Sequence, residues 1–384
     1  MIVANTADDR ELARRNLPRM LFDYIDGGSY SEVSLRRNVA DLEALALRQR
    51  VMRDVSRLDT STTLFGQAMS LPLALAPVGF AGMFARRGEV QAARAAEAMG
   101  VPFTLSTVGI CAMEEVRAAT ARPFWYQLYM IKDRGYMEAL LRRASALGTE
   151  VLVFTVDLPV TGARYRDLRS GFSVKPPLAQ RIARALHTAT RPGWIADVYL
   201  AGRPHHFGNL VDAIKERQAG DFAGWVHRNF DPTVTWADIA WVRERWPGKI
   251  VMKGILDPDD ARAARDAGAD GVVVSNHGGR QLDGALSAAQ ALPPIAEAVG
   301  GDLTILADGG VRSGLDLLKL LALGAEGVLI GRAWAYALAA GGEAGVKRML
   351  DRFEMELKVA MALTGCTDVK TAGPALLARS SPLH

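Results

Sequence analysis

Short runs of β-branched, aromatic and leucine residues alternate along this chain with longer stretches whose apolar positions recur every three or four residues. The first pattern predicts buried strands and the second amphipathic helices; their alternation marks βα units feeding a parallel sheet. Eight strands are predicted, at Leu73–Ala76, Phe103–Leu105, Phe124–Leu128, Val151–Thr155, Ile250–Lys253, Gly271–Val274, Thr304–Ala307 and Gly327–Ile330. Helices are predicted between them, among them Glu89–Met99, Gly135–Leu147 and Asp257–Ala267. Eight such units predict an α/β fold, a closed (β/α)8 TIM barrel forming one domain over residues 1–384. The residues before about position 70 read as a helical segment and a short hairpin that close the barrel floor.

The rhythm breaks from about Ser173 to Asp231, residues 173–231, which predicts a long insertion after the fourth strand. It mixes Lys175, Arg181, Arg184, Arg191, Arg203, Lys215 and Arg217 with Trp194, Tyr199, Phe207, Phe222 and Trp225, while Ile182, Ala183, Ala185 and Leu186 can form an apolar face. Basic and aromatic residues on an amphipathic segment suit an anionic membrane surface. A solvated lid or an oligomer contact is the alternative.

Active sites of such barrels gather at the carboxyl ends of the strands, so the residues that follow each strand carry the functional reading. They are Pro77-Val78-Gly79, Ser106-Thr107, Gln127 and Tyr129, Thr155 and Asp157, Lys253, Ser275 and His277, Asp308-Gly309-Gly310, and Gly331-Arg332. Any one of them is explained by a strand needing a polar end. Polar residues at the ends of all eight strands point to a site.

Composition narrows the partners. A chain that is 49% hydrophobic over 384 residues buries a large core, and a net charge of +4, scattered along the sequence, does not favour nucleic acid. A small anionic substrate fits better. Cys111 and Cys366 have no ligand-like spacing and read as core residues of a protein in a reducing compartment. The charged N-terminus, with Asp8, Asp9, Arg10, Glu11, Arg14 and Arg15, lacks the apolar run of a secretion signal and is expected to stay in the mature protein. The most apolar run, Leu71 to Phe84, is interrupted by Pro72, Pro77, Gly79 and Gly82 and is too short to span a bilayer.

Of six histidines, His277 alone follows a barrel strand, while His187, His205, His206, His227 and His384 lie in the insertion or the tail. An imidazole titrates near neutrality and serves as a general base when a carboxylate orients it, and Asp157 is the candidate carboxylate. Arg280 offers a planar fork for a substrate carboxylate, and Arg164 a second. The turns Asp308-Gly309-Gly310-Val311-Arg312 and Gly331-Arg332 place backbone amides and guanidinium groups where barrels hold phosphate. Lys253 reads equally as a Schiff-base lysine, a surface lysine or a cation facing a cofactor. Paired His, Cys or carboxylate spacing for a metal, a serine nucleophile elbow and a dinucleotide fingerprint are not found around these residues.

The run Ser275-Asn-His-Gly-Gly-Arg-Gln-Leu-Asp-Gly284 is similar to the active-site signature of the FMN-dependent L-2-hydroxy acid dehydrogenases and oxidases. The resemblance extends through Phe22-Asp-Tyr-Ile-Asp-Gly-Gly28, Ala76-Pro-Val-Gly79, Leu105-Ser-Thr107, Gln127-Leu-Tyr129, Thr155-Val-Asp157, Lys253-Gly254, Ala307-Asp-Gly-Gly-Val-Arg312 and Ile330-Gly-Arg332. Ala81-Gly-Met-Phe-Ala-Arg-Arg-Gly-Glu-Val90 and Gly162-Ala-Arg-Tyr-Arg-Asp167 carry a narrower resemblance to its bacterial respiratory, L-lactate-oxidising branch.

The resemblance implies that His277 is the base and Asp157 its partner, with Tyr24, Tyr129, Arg164 and Arg280 on the substrate. It implies FMN against Pro77, Val78, Gly79, Ser106, Gln127, Thr155, Lys253 and Ser275, its phosphate on Asp308, Gly309, Gly310, Arg312, Gly331 and Arg332. Lys253 would then stabilise negative charge on the reduced ring. The implied reaction converts a 2-hydroxy acid to a 2-keto acid, the hydroxyl proton passing to His277 as hydride moves to the flavin, with a carbanion route as the alternative. Gly79, where many oxidases of the family have alanine, implies a dehydrogenase. With the insertion, it favours a membrane quinone as acceptor and peripheral attachment to the cytoplasmic face of the inner membrane, with a cytoplasmic location as the alternative. Barrels of this family are often tetramers, so a homo-oligomer is implied. The rival readings are L-mandelate oxidation in a roomier pocket beside Gly79, Val108 and the residues after Asp157, an oxidase using dioxygen, and a non-redox FMN barrel or binding module.

Overall fold

The computed structural model describes residues 2–172, 174, 176–211 and 228–378. Ser173, Lys175, Lys215, Arg217, Phe222, Trp225, His227 and His384, all named above, lie outside the described residues.

Three helices open the chain, α1 (Thr6–Asn16), α2 (Arg19–Asp26) and α3 (Val33–Ala44), followed by an antiparallel hairpin of β1 (Thr62–Leu64) and β2 (Gln67–Met69). Eight parallel strands follow: β3 (Leu73–Leu75), β4 (Thr104–Ser106), β5 (Trp125–Tyr129), β6 (Val151–Thr155), β7 (Lys249–Ile255), β8 (Gly271–Val274), β9 (Thr304–Asp308) and β10 (Gly327–Ile330). Each stands at its predicted place, within two residues at either end. The order β3-β10-β9-β8-β7-β6-β5-β4 forms one continuous sheet, and a parallel bridge from Leu75 to Phe103 closes it into a barrel.

The strands read as unbroken apolar runs because both faces are covered, by helices outside and by neighbouring strands inside. Ala74, Ala76, Trp125, Val151, Val153, Val251, Val273, Leu306 and Leu329 fill the interior, and Leu64 and Met69 of the hairpin join them. The Trp125 indole N–H also donates to Gln67 Oε1 at 2.8 Å. The hairpin therefore seals the amino-terminal end, as predicted.

The helices before it do not. α2 crosses the opposite, carboxyl-terminal face and turns Tyr24 and Ile25 into the cavity there. α3 is tied to the same face by a reciprocal amide pair, Asn38 with Asn276, at 2.7 and 2.8 Å. α1 packs on the C-terminal helix, where the wholly buried Asp9 accepts from Arg348 and Arg352 at 3.0 and 2.8 Å. Hydrophobic periodicity marks these segments as helices without saying which end of a barrel they cover, so only the hairpin belongs to the floor.

The insertion after β6 is anchored through a few contacts. The Trp194 indole donates to Met83 O at 2.8 Å, Asn209 Oδ1 accepts from Met113 N at 2.8 Å, and Phe207 packs edge-on against Phe80 at 4.8 Å. Its helix Leu178–Ala189 buries no residue and leaves Leu178, Ile182 and Leu186 exposed by 68%, 54% and 66%. No helix among the described residues is long and apolar enough to cross a membrane.

Candidate active site

The carboxyl ends of the strands and α2 enclose a cavity of about 1130 Å³, mouth included. Its lining holds Tyr24, Pro77, Val78, Gly79, Tyr129, Thr155, Arg164, Lys253, His277, Arg280, Asp308, Gly309, Gly310, Arg312, Gly331 and Arg332 of the residues singled out from the sequence. The other four stand behind that wall. Asp157 lies under His277, Ser275 under Lys253 and His277, and the buried Ser106 and Gln127 bond one another at 3.2 Å, with the Gln127 amide donating to Thr155 Oγ1 at 3.1 Å.

His277 sits just past β8 at φ +57°, a left-handed conformation that His tolerates better than most side chains. Its Nδ1–H donates to Asp157 Oδ1 at 2.9 Å. A carboxylate can only accept, so this bond fixes the tautomer and leaves Nε2 with a free lone pair on the cavity side. Asp157 reaches that position because β7 bulges at Gly254, φ +109°, where a Cβ would stand 2.5 Å from Asp157 Cβ. Any larger residue at 254 displaces the carboxylate.

Lys253, on the same strand, is buried and forms an ion pair with Asp308 Oδ2 at 3.0 Å while donating to Ser275 Oγ at 2.9 Å. Burial alone would lower its pKa, but Asp308 and Asp157 outweigh burial and hold the ammonium above its ordinary value. Burial pushes Asp157 up, yet His277 and Lys253 bring it below the usual carboxylate range. For His277 burial wins over the attraction of Asp157, helped by Lys253 and Arg164, and the pKa falls below its ordinary value. The resting dyad is thus a carboxylate and a neutral imidazole.

Four guanidinium groups surround the cavity, and among the described residues none makes a salt bridge to a carboxylate. Arg280 donates to the carbonyls of Tyr24 and Gly27 and lies over the Tyr24 ring at 4.7 Å. Arg332 donates to Ile25 O, Gly27 O and Gly278 O at 2.7–2.9 Å, Arg164 to Arg280 O and Gln281 Oε1 at 3.2 and 3.3 Å, and Arg312 to Val311 O. Carbonyls orient these cations without neutralising them, which leaves the cavity strongly attractive to anions. Burial, reinforced by Arg280, lowers Arg164 to about 10, and burial, against Tyr336 and with Arg280 and Arg312, lowers Arg332 to about 9, so both stay cationic at neutral pH. Arg164 and Arg280 share the rim with His277, Tyr24 and Tyr129; Arg312 and Arg332 share the turns at Gly309-Gly310 and Gly331. All four line one cavity, and Arg280 and Arg332 meet on the same carbonyl, Gly27 O.

The sequence profile of the FMN-dependent dehydrogenase family matches residues 13–379. The chain belongs to that family. An L-lactate dehydrogenase of Caulobacter vibrioides is 61% identical over 383 residues, covering 100% of this chain and 99% of that relative. One from Pseudomonas aeruginosa is 57% identical over 371 residues, covering 96% of each. Among solved structures, the monotopic membrane protein (S)-mandelate dehydrogenase superposes with a TM-score of 0.93 at 34% identity, covering 99% of this chain and 100% of that one. A mandelate oxidase does so with 0.84 at 39%, covering 98% of each.

The cavity of this FMN-dependent dehydrogenase fits the cofactor on its own chemistry. Gly309 and Gly310, at φ +98° and +84°, present the turn between Asp308 and Arg312, and a Cβ on Gly310 would lie 2.0 Å from Asn38 O. A cationic, glycine-tight turn of this kind accepts a phosphate. Asp308 Oδ1 is buried without a partner among the described residues, an acceptor ready for a hydroxyl donor. Lys253 supplies a buried positive charge to the lining of the same cavity.

Val108, and Leu158 and Thr161 in the stretch after Asp157, line the cavity where the roomier-pocket reading has them. Phe230, at the far end of the insertion, was not singled out from the sequence; its ring lies 4.8 Å from that of Tyr129, tilted by 32°, and its backbone bridges Ile131. The signal for Phe230 was faint: an aromatic residue where a long insertion must return to the barrel rim.

Proposed function

We propose that this chain oxidises L-lactate to pyruvate and delivers the electrons to a membrane quinone. The observation that carries the reading is the oriented His277–Asp157 dyad facing two carboxylate-sized arginine forks in one cavity. Identity favours lactate over mandelate, at 61% and 57% with the two L-lactate dehydrogenases against 34% and 39% with the mandelate enzymes.

In this reading Arg280 and Arg164 hold the substrate carboxylate, and the Tyr24 and Tyr129 hydroxyls hold its remaining oxygens. Burial raises both tyrosines above the ordinary phenol range, which keeps them hydrogen-bond donors. His277 Nε2 takes the hydroxyl proton, and the imidazolium so formed is stabilised by Asp157 through Nδ1. FMN, when bound, supplies the two-electron acceptor for the hydrogen leaving the α-carbon. Pro77, Val78, Gly79, Thr155 and Lys253 would line its ring and Asp308, Gly309, Gly310, Arg312, Gly331 and Arg332 its phosphate side, with Ser106, Gln127 and Ser275 setting the layer beneath. Lys253 provides the positive charge that a ring gaining electrons requires.

The test is anaerobic bleaching of the bound flavin by a series of L-2-hydroxy acids, repeated with quinone and dioxygen as oxidants. L-Lactate is expected to give the highest kcat/KM and quinone the faster reoxidation. Preference for L-mandelate would overturn the substrate, and failure of every 2-hydroxy acid would overturn the enzyme.

The pH dependence follows from the dyad. A base must be neutral to act, so activity is present above the His277 pKa and is lost as pH falls through it. With that pKa lowered, the acid limb of log kcat/KM is expected below the ordinary histidine value of about 6.5. A limb above that value would contradict the assignment.

The exposed stripe Leu178, Ile182 and Leu186, flanked by Arg181 and Arg184, supports peripheral attachment to an anionic membrane surface, in line with the monotopic relative; the cytoplasmic face and a homotetrameric state belong to the same proposal. Changing all three apolar residues to glutamate is expected to cut co-sedimentation with anionic vesicles at least about tenfold, since each buried Leu or Ile contributes about 1.5–3 kcal/mol. Activity with a soluble dye should be retained, because none of the three packs on the barrel. Undiminished sedimentation would place the anchor elsewhere.

A further inference from the structure

Gln281 lies within the run that opens at Ser275, but its side chain does not line the cavity. It reaches sideways into the loop that follows β6. Its Nε2 donates to Asp157 O at 2.8 Å and to Val160 O at 2.9 Å, while its Oε1 accepts from Gly162 N at 3.2 Å and from Arg164 Nη2 at 3.3 Å. A primary amide has two hydrogens to give and two lone pairs to receive, and all four are used. One side chain thereby holds a loop at residues 157, 160, 162 and 164, between the carboxylate that orients the base and an arginine on the substrate side.

The two loops meet too closely to slide. A Cβ on Gly162 would stand 2.4 Å from Arg280 O, and Arg164 Nε donates to that same carbonyl at 3.2 Å. Gln281 Oε1 and Arg280 O are the acceptors that aim the Arg164 fork, which has no carboxylate at salt-bridge distance among the described residues to aim it instead.

We propose that Gln281 is a positioning residue that sets the His277–Asp157 dyad and the Arg164 fork in one register, so that proton removal and carboxylate capture act on the same bound substrate. The proposal rests on the 2-hydroxy acid reading above. No isosteric residue does the same work: a glutamate would set a carboxylate oxygen against the carbonyls of Asp157 and Val160, and a methionine offers neither donor nor strong acceptor.

The test uses the FMN-loaded full chain and the variants Gln281→Met and Gln281→Glu, with oxalate as a non-reacting carboxylate probe read by flavin absorbance. Gln281→Met is expected to raise KM and the oxalate dissociation constant together by about 10-fold and to lower kcat by about 10-fold, as small misplacements of reacting groups do. Flavin content and melting temperature should stay at the parent's values. Gln281→Glu should weaken oxalate further, because its charge competes for Arg164. In an Arg164→Met background the oxalate effect of Gln281→Met should vanish while its effect on kcat persists, a non-additivity that a general structural role does not produce.

Parent-like kcat/KM and oxalate binding in Gln281→Met would overturn the proposal. Losses that merely track lost flavin or a lowered melting temperature would overturn it too, as would full additivity with Arg164→Met. If the parent's flavin is bleached by no 2-hydroxy acid, the functional reading fails and takes this one with it, an outcome separate from parent turnover with an indifferent Gln281.

Discussion

Replacing His277 by glutamine is expected to lower kcat/KM by about 10³–10⁴-fold, the upper part of what a positioned general base contributes. Glutamine occupies similar space and bonds Asp157, but its amide cannot take a proton near neutral pH. The loss should therefore fall on kcat, with oxalate affinity and flavin content close to the parent's. Position 277 has φ +57°, where a residue other than glycine is strained, and asparagine bears this better than glutamine. His277→Asn is therefore the companion variant, expected to show the same kinetic loss with less cost to stability. Stopped-flow reduction by L-lactate is the measurement. Fast reduction in either variant would remove His277 from the role of base. Asp157→Asn should be intermediate: it leaves the imidazole in place but removes the charge that stabilises its protonated form, so the rate falls and the acid limb moves lower still.

Arg280→Met is expected to lower kcat/KM by about 10²–10³-fold, within the 2–5 kcal/mol typical of truncating a buried charged partner. Here the loss should appear in KM and in the oxalate dissociation constant, the opposite split from His277→Gln. Arg280 also donates to the carbonyls of Tyr24 and Gly27 and covers the Tyr24 ring, so the substitution loosens the end of α2 as well as the carboxylate fork. Arg280→Lys separates these contributions. A lysine keeps the charge without the planar fork, so recovery of only part of the affinity would show that geometry matters beyond charge. Unchanged oxalate binding in Arg280→Met would move the carboxylate site elsewhere, with Arg164 the first place to look.

These two residues are also where reading the chain in one dimension went furthest. The run from Ser275 to Gly284 follows a strand whose apolar character is plain, so its position at the carboxyl end of β8 is fixed by local pattern alone. The same holds for Lys253 at β7, Asp308 at β9 and Arg332 after β10. Two-residue shifts in strand ends moved none of them away from the rim.

Sequence by itself determined the eight strands, their parallel barrel and which residues stand at its catalytic rim, because strand periodicity and the residue after each strand are local properties of the chain. Tertiary structure alone decided the rest. Whether α2 covers the floor or the rim depends on where Tyr24 and Arg280, 256 positions apart, meet. The approach of Asp157 to His277 depends on a bulge at Gly254 in a neighbouring strand, and the return of Phe230 to Tyr129 depends on the path of a long insertion. The clamp made by Gln281 joins two loops through contacts that span 117 to 124 positions. Such contacts arise only when separate strands are brought side by side, since their energies belong to pairs of residues that no local pattern links.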